Sequence, residues 1–311
     1  MNHHTEPPSV RYLRISSERA GQRLDNFLLT HLKGVPRSWV YRVIRRGEVR
    51  VNKARAKPGQ TLVAGDQIRI PPVRRNASRL RSPSKAWQQI ITRAILYEDA
   101  ELLVLNKPSG MAVHGGSGVS FGVIEVLRSL HPGHADWELV HRLDRGTSGC
   151  LLIAKKRSVL RRLHELQQHK QISKRYLALL AGHWPEPQCQ VNAPLHKNIL
   201  HGGERIVIVS ADGKPARTYF RMQRRVGRHT LVEARLETGR THQIRVHAAH
   251  VGAPILGDDK YGDLHQNQIA RQQGLKRLFL HAWQIRFRWS HAAGYHHFTA
   301  PLAPELNHFL D

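Results

Sequence analysis

The residues with the clearest capacity for chemistry lie in one stretch, residues 139–155, with the sequence LVHRLDRGTSGCLLIAK. Two apolar segments enclose a polar turn in which Asp144 has Arg142 and Arg145 as near neighbours in sequence. Cationic neighbours favour the ionised form of a carboxylate. An ionised and positioned aspartate can serve as a nucleophile or as a general base. On the residues alone, the alternative is that Asp144 only pairs with Arg142 or Arg145 within the fold.

Other familiar catalytic and metal-binding patterns are incomplete in this chain. His164 and His169 resemble the histidines of a zinc protease helix but are five residues apart, whereas a helix face brings together residues three or four apart. Residues 115–118, GGSG, lack the Gly-Lys-Ser/Thr sequence of a phosphate-binding loop. Cys150 and Cys189 are the only cysteines, too few for a disulfide framework or a structural zinc site. The sequence therefore predicts no metal and no other cofactor.

The charge of the chain predicts a polyanionic partner. Its 311 residues include 49 Lys and Arg against 23 Asp and Glu, a formal net charge of +26. Residues 1–89 hold 19 basic and 5 acidic side chains, so they carry just over half of the excess. Such a surplus is typical of proteins that bind nucleic acid or an acidic membrane surface, although it can also serve solubility alone. No apolar run approaches the ~18 residues of a membrane-spanning helix, and residues 1–8 lack the apolar segment of a signal peptide, which predicts a soluble, cytoplasmic protein.

A small module precedes the stretch that contains Asp144. Residues 23–32 and 37–46 have apolar side chains at helical spacing, and residues 48–51 and 67–70 alternate like strands. The second helix also carries four arginines, most of which lie on the side opposite its apolar residues, namely Arg37, Arg42, Arg45 and Arg46. No acidic residue lies among residues 37–46. This favours phosphate contact over a merely solvated face, because a guanidinium binds two phosphate oxygens at once.

The polar and basic residues 73–89 are typical of a linker. We therefore divide the chain into an N-terminal extension (1–20), the small module (21–72), the linker and a larger domain (90–311). In the larger domain, predicted helices near residues 121–131 and 157–171 do not alternate strictly with the strands, which favours an α+β fold with a mixed, largely antiparallel sheet. The strands are predicted at residues 95–97, 102–105, 151–154, 176–180, 205–209, 230–234, 243–246 and 278–280.

Several motifs together resemble a known enzyme family. Residues 141–149, HRLDRGTSG, are similar to the signature of the RluA/RluC-type pseudouridine synthases, and residues 21–72 resemble the S4 RNA-binding domain. Within that family the motifs are most similar to those of the RluC branch, which acts on 23S (large-subunit) ribosomal RNA. Further matches follow in the family's order at residues 105–118, 174–176, 238–247, 257–262 and 277–281.

The resemblance implies an S4-like domain followed by a pseudouridine synthase domain with a central cleft, which isomerises uridines flipped out of the RNA. It implies that Asp144 is the essential catalyst, that Arg245 pairs with it, and that Tyr176 stacks on the target base and assists removal of the C5 proton. It leaves open whether Asp144 attacks C1′, attacks C6 or removes a ribose proton. The expected substrate-pocket residues are His141, Arg142 and Leu280. The expected RNA-contacting cations are Arg37, Arg42, Arg45, Arg46, Arg50, Lys107 and Arg240.

Two other functions compete with a synthase of large-subunit RNA. One is a pseudouridine synthase that acts on transfer RNA. The other is a non-catalytic RNA-binding or ribosome-assembly protein built on the S4-like module, which would leave Asp144, Tyr176 and Arg245 without a role. The expected partner is 23S ribosomal RNA or a large-subunit assembly intermediate. No membrane and no protein partner are expected to be required, and the predicted state is a monomer.

Overall fold

The computed structural model describes residues 9–32, 35, 37–73, 83–116, 119–134, 136–184, 188–199, 205–289 and 294–310. The chain divides into two compact units, one within Met1–Ser82 and one within Pro83–Asp311. Within the described ranges, none of the helices has both the length and the apolar character needed to cross a bilayer.

The first unit combines two helices and a four-stranded antiparallel sheet in one hydrophobic core. Its helices are α1 (Leu24–His31) and α2 (Arg37–Arg45), and its strands are β1 (Arg11–Arg14), β2 (Arg50–Val51), β3 (Ala54–Arg55) and β4 (Gln67–Ile70). The strand order is β1-β4-β2-β3. Val40, Val43 and Ile44 of α2 are buried, which leaves the arginines of this helix at the surface.

The two helices and the strand at residues 67–70 predicted for this module are confirmed. The strand predicted at residues 48–51 is shorter, Arg50–Val51, and the sheet begins earlier in the chain than residue 21. Strand β1 pairs with β4 along its whole length, and Ile15 is 2% exposed within the same core. Residues 11–15 therefore fold with the module rather than as a separate extension. Of the predicted linker, residues 74–82 lie outside the described residues, and Lys85–Arg93 forms a helix, α3.

The second unit is built on a ten-stranded sheet. Its strands are β5 (Ile95–Glu98), β6 (Leu102–Lys107), β7 (Glu138–Leu139), β8 (Ser148–Ala154), β9 (Ser173–Leu180), β10 (Gln188–Asn192), β13 (Arg217–Val226), β14 (His229–Leu236), β15 (Leu280–Arg288) and β16 (Tyr295–Thr299), and a separate hairpin is formed by β11 (Leu195–Ile199) and β12 (Arg205–Val209). The helices that follow α3 are α4 (Val123–Leu130), α5 (Arg157–Gln168), α6 (Gln243–His250), α7 (Leu264–Gln272) and α8 (Pro304–His308).

The order along the large sheet is β10-β13-β14-β9-β15-β8-β6-β5, with β16 on β15 and β7 on β8. The pairing between β15 and β8 is parallel, and the other pairings in this sheet are antiparallel. The predicted α+β class with a mixed, largely antiparallel sheet is therefore confirmed. The chain segment with Asp144 leads directly into β8, at the parallel junction.

Strands β6 and β8 are buried on both faces of the sheet. Leu103 and Leu151 belong to a hydrophobic cluster that includes residues of α4 and α6, whereas Val104 and Leu152 belong to a second cluster with residues of α5. Burial on both faces explains why these strands read as continuous apolar runs rather than as an alternating pattern. It also gives the adjoining loop a rigid support.

The strand predicted at residues 243–246 is wrong, because Gln243–His250 forms helix α6. Ile244 and Val246 are β-branched, which favours a strand locally. Five of the eight helix residues are buried, so the segment has no polar face that would indicate helical periodicity. Packing in the tertiary structure overrides the local preference here. The predicted strand at residues 278–280 also begins later, since β15 starts at Leu280.

Gly149 fixes the approach of β8 to β15. Its φ is +109°, and a Cβ at this position would collide with the backbone carbonyl of Ala282. An L-residue is therefore excluded both by backbone conformation and by space. Because Asp144 lies only five residues before Gly149, this close contact helps to set where the Asp144 loop ends.

We expect Gly149→Ala to lower the free energy of unfolding by about 3 kcal/mol or more, since it adds a steric clash to backbone strain. Gly274→Ala is the matched control, because Gly274 has a similar φ of +104° but open space around a new Cβ. The control should lose only about 1–2 kcal/mol. Urea unfolding of both variants measures the difference, and equal losses would show that the approach of β15 does not constrain residue 149.

Candidate active site

Asp144 lies in a loop that is hydrogen-bonded to residues 109–110. The Gly110 amide donates to the Arg145 carbonyl at 2.8 Å, and Arg145 Nε donates back to the Gly110 carbonyl at 2.8 Å. Ser109 Oγ donates to the Gly146 carbonyl, also at 2.8 Å. These three bonds join residues 109–110 to residues 145–146, so the chain directly after Asp144 is held in place.

Lys107 is part of this support, and its predicted role as an RNA contact is wrong. The residue is 0% exposed, and its Nζ donates to the carbonyls of Pro108 and Met111 at 2.8 Å and of Arg145 at 3.3 Å. Burial lowers the pKa of Lys107 to about 7. The three carbonyls nevertheless match the three donors of an ammonium group. A side chain used in this way cannot reach a phosphate.

Arg245 on α6 carries the strongest ion pair of the site. Its Nε and Nη2 each lie 2.7 Å from a carboxylate oxygen of Asp258, a two-point contact. The Asp258 side chain is 1% exposed and also accepts the backbone N–H groups of Lys260 and Tyr261. Burial alone would raise the pKa of Asp258, but the hydrogen bonds and charge of Arg245 lower it below its usual value.

The remaining amino group of Arg245 faces Asp144. Arg245 Nη1 lies 3.4 Å from Asp144 Oδ2, and the two side chains are 12% and 26% exposed. Burial opposes the charged guanidinium, yet its bonds to Asp258 and the nearby charge of Asp144 raise the pKa of Arg245. The structure thus brings together two residues that are 101 positions apart in sequence.

His242 is a second neighbour of the Asp144 carboxylate. Its Nε2 lies 3.8 Å from Asp144 Oδ2, and its Nδ1 lies 2.7 Å from the hydroxyl of Tyr261. That hydroxyl accepts the backbone N–H of Val207 at 2.9 Å. The guanidinium carbon of Arg245 lies over the Tyr261 ring, 5.0 Å from its centroid. Tyr261 therefore contacts both side chains that face Asp144.

These groups line a cleft of about 1100 Å³. Tyr176 on β9 and Leu280 on β15 are 7% and 3% exposed and form an apolar part of its wall. Burial first, and then the charge of Asp144, raise the pKa of Tyr176 well above its usual value, so the phenol stays protonated at neutral pH. The cleft therefore offers an ionisable carboxylate beside an aromatic and an aliphatic surface, which suits a planar polar ring.

A second cavity, of about 640 Å³, shares Asp144, His242 and Arg245 with the first. Its wall includes the glycine-rich segment 109–116. Its other charged lining residues are Arg142, Arg145, Lys260, Arg277, Asp258 and Asp259. The Asp144 carboxylate thus borders both cavities.

The structure places most of the expected pocket residues in the larger cleft. Seven residues singled out in the sequence line it, namely Asp144, Tyr176, Arg245, His141, Arg142, Leu280 and Arg240. His141 is buried, its Nε2 accepts the backbone N–H of Leu152 at 3.2 Å, and burial lowers its pKa well below the usual value. Its ring therefore supports β8 as a neutral group. The expected RNA contacts Arg37, Arg42, Arg45, Arg46 and Arg50 belong to the first unit, the first four exposed and the last partly exposed.

Sequence reasoning missed three residues of this site: His242, Asp258 and Tyr261. All three fall within motifs quoted for the family resemblance, residues 238–247 and 257–262. Nothing in the local sequence indicates that Asp258 is the main partner of Arg245, or that Tyr261 reaches His242. These contacts depend on how α6 and the loop after it pack, which spacing along the chain does not reveal.

Comparisons with family models and curated proteins agree on one enzyme family. The model of the RNA pseudouridylate synthase family matches residues 101–250, and the model of the S4 domain matches residues 22–68. Ribosomal large subunit pseudouridine synthase C of Salmonella typhi is 53% identical over 311 residues, which cover 99% of this chain and 98% of that protein. Its counterpart in Escherichia coli (strain K12) is 55% identical over 287 residues, or 91% and 90% of the two chains.

Solved structures give the same result. Human RNA pseudouridylate synthase domain containing 4 superimposes with a TM-score of 0.59 at 27% identity, covering 72% of this chain and 94% of that one. Human RNA pseudouridylate synthase domain containing 1 has a TM-score of 0.57 at 25% identity, covering 70% and 86%. The similarity therefore extends from sequence to backbone.

We expect Lys107→Met to lower the free energy of unfolding by about 3 kcal/mol, because it leaves buried carbonyls without donors. Lys156→Met is the control, since Lys156 has a side chain 54% exposed and pairs only loosely with Glu101 at 3.7 Å. The control should change stability by less than about 1 kcal/mol. Urea unfolding provides the measurement. A Lys107→Met protein of normal stability with weakened RNA binding would instead support a direct RNA contact.

Proposed function

The chain belongs to the RNA pseudouridylate synthase family, and we propose that it converts specific uridines of 23S (large-subunit) ribosomal RNA to pseudouridine, with Asp144 as the central catalytic residue. The family resemblance predicted from the sequence motifs is confirmed by the match to the family model and by the curated relatives. The substrate is inferred from the relatives named as ribosomal large subunit synthases, which match almost the full length of this chain. The catalytic assignment is supported by the geometry around Asp144.

Pseudouridine formation is an isomerisation. The bond between C1′ of the ribose and N1 of uracil breaks, a bond between C1′ and C5 forms, C5 loses its proton and N1 gains one. Nothing is oxidised, and no phosphate energy is consumed. Asp144 has three conceivable routes, namely attack at C1′, attack at C6 and removal of a ribose proton. Each route needs an ionised carboxylate beside the bound uridine.

The observation that carries this proposal is the way in which Arg245 holds Asp144. Arg245 commits Nε and Nη2 to Asp258 and offers only Nη1, 3.4 Å away, to Oδ2 of Asp144. The contact is long and single, so Asp144 is oriented without being fully paired. Oδ1 of Asp144 has no hydrogen-bond partner among the described residues, and we assign it as the reacting oxygen.

Tyr176 and Leu280 are proposed to hold the uracil ring beside Asp144. Both line the cleft and are largely buried, and an aromatic face can stack on a base. The raised pKa of Tyr176 makes a resting phenolate at neutral pH unfavourable. We therefore assign Tyr176 mainly to stacking, and its assistance in removing the C5 proton stays a prediction.

The reacting carbons of a stacked uridine are inaccessible, so the base must be flipped out at a cost of about a few kcal/mol. Basic side chains that bind the backbone offset this cost. We propose that Arg142 and Arg240 do so at the cleft, and that the S4 domain binds the surrounding RNA. The arginines assigned to the S4 domain are Arg37, Arg42, Arg45, Arg46 and Arg50. Every group in this scheme comes from one chain, so we propose a monomer acting on ribosomal RNA or an assembly intermediate in the cytoplasm.

We expect Asp144→Asn to slow pseudouridine formation by on the order of 10³-fold or more, because an amide is neither a nucleophile nor a base here. RNA affinity should change by less than about threefold, since the substitution adds no bulk. Tritium release from RNA carrying [5-³H]uridine measures the reaction, and filter binding measures affinity. Asp136→Asn, an exposed carboxylate, is the control. Normal tritium release by Asp144→Asn would falsify the catalytic assignment.

We expect cells that lack this protein to lose pseudouridine at particular positions of 23S ribosomal RNA, and wild-type protein but not Asp144→Asn to restore them. Carbodiimide labelling followed by reverse transcription maps pseudouridines in ribosomal and transfer RNA from the same cells. Loss restricted to transfer RNA would overturn the proposed substrate. An unchanged map in both RNA classes would contradict the proposed enzyme function.

A further inference from the structure

His242 is a second neighbour of Asp144, and its ring contacts Tyr261, which is not part of the Asp144–Arg245 ion pair. We propose that His242 is a positioning residue that donates its Nε2 proton to Oδ2 of Asp144, and that Tyr261 holds His242 in the tautomer this requires. The inference rests on the proposed function, because it concerns the carboxylate that we assign to catalysis. It adds two residues to which sequence reasoning gave no role.

The hydrogen bonds of Tyr261 favour one position for the proton of a neutral His242 ring. The Val207 N–H can only donate, so the Tyr261 oxygen accepts this bond, at 2.9 Å. The single phenolic proton is then available for His242 Nδ1, 2.7 Å away. A neutral imidazole that accepts at Nδ1 carries its proton on Nε2. That nitrogen is the one that faces Asp144.

The backbone of His242 is consistent with this orientation. The residue precedes α6 with φ +55° and ψ +18°, a left-handed conformation that histidine adopts more readily than most side chains. Residues at this helix position commonly cap the helix with their side chain. His242 makes no such bond, and its ring is used for the contacts with Tyr261 and Asp144 instead.

Two donors then converge on one oxygen of Asp144. Arg245 Nη1 is 3.4 Å and His242 Nε2 is 3.8 Å from Oδ2. At 3.8 Å the His242 contact is too long for a formed hydrogen bond, and contacts of this kind commonly tighten when substrate binds. Holding Oδ2 from two directions fixes the rotation of the carboxylate, so that Oδ1 is presented to the substrate.

The charges around the ring support a neutral histidine. The groups that face His242 are Asp144, Arg245, Lys260 and Asp258. Burial, together with Arg245 and Lys260, outweighs the two carboxylates and lowers the pKa of His242 below its usual value. A neutral imidazole with a fixed tautomer is therefore the form at neutral pH, and it donates a hydrogen bond without adding a second positive charge beside Arg245.

Two replacements of His242 separate hydrogen-bond donation from structural support. A glutamine amide nitrogen reaches about as far as Nε2, so His242→Gln keeps a donor toward Asp144 but loses the contact with Tyr261. An asparagine amide reaches only as far as Nδ1, so His242→Asn suits the left-handed backbone and can keep the contact with Tyr261, but it offers no donor to Asp144. Loss of one hydrogen bond to a carboxylate corresponds to about 10- to 100-fold in rate.

In single-turnover tritium release from 23S ribosomal RNA, we expect His242→Gln to stay within about fivefold of wild type and His242→Asn to fall by about 30-fold. Both should bind RNA normally, and thermal unfolding verifies that both are folded. Tyr261→Phe keeps the aromatic ring beside Arg245 but leaves the tautomer of His242 free, so the rate should fall by about fivefold to tenfold. In the His242→Gln background, Tyr261→Phe should cause no further loss of rate.

The outcomes separate this inference from the proposed function. His242→Asn as fast as or faster than His242→Gln, with Asp144→Asn inactive, would overturn the role of His242 and leave the catalytic role of Asp144 intact. Independent rate losses for Tyr261→Phe in both backgrounds would remove Tyr261 from the scheme. Wild-type protein that releases no tritium, or an active Asp144→Asn variant, would contradict the proposed function and this inference together.

Discussion

The site depends on one guanidinium shared unequally between two carboxylates. Asp258 takes two bonds of 2.7 Å from Arg245 in a buried setting, and Asp144 receives one contact of 3.4 Å in a more open one. The pairing with Asp258 fixes the guanidinium, because a buried two-point ion pair tolerates little rotation. Two negative groups face one positive group, so Asp144 is oriented without being neutralised. A reactive aspartate needs this combination.

The fold brings together three chain segments at that guanidinium. Helix α6 supplies Arg245, the loop after it supplies Asp258, and the segment before β8 supplies Asp144. The last segment is held by the hydrogen bonds that join residues 109–110 to residues 145–146, by the buried amino group of Lys107, and by the glycine that lets β8 approach β15. These supports determine where the carboxylate lies. Strands β6 and β8, which are buried on both faces, carry the arrangement.

The sequence predicted the fold class and seven of the residues that line the cleft, because the order of motifs and the patterning of strands can be recognised without knowledge of packing. It failed where packing decides. Residues 243–246 were predicted to form a strand because Ile244 and Val246 are β-branched. They belong to a helix whose side chains are buried on several sides, so no polar face indicated helical periodicity. Lys107 looked like an RNA contact because a lysine is usually exposed, and only the three carbonyls around it reveal otherwise. The partnership of Arg245 with Asp258 likewise has no local signal.

The two cavities that share Asp144 have a consequence for access to its carboxylate. A carboxylate at the end of a single blind pocket can be approached through one opening only, whereas Asp144 borders two spaces. The smaller space is lined by both signs of charge, with Arg142, Arg145, Lys260 and Arg277 beside Asp258 and Asp259. A substitution that narrows one of the two spaces therefore leaves Asp144 in contact with the other.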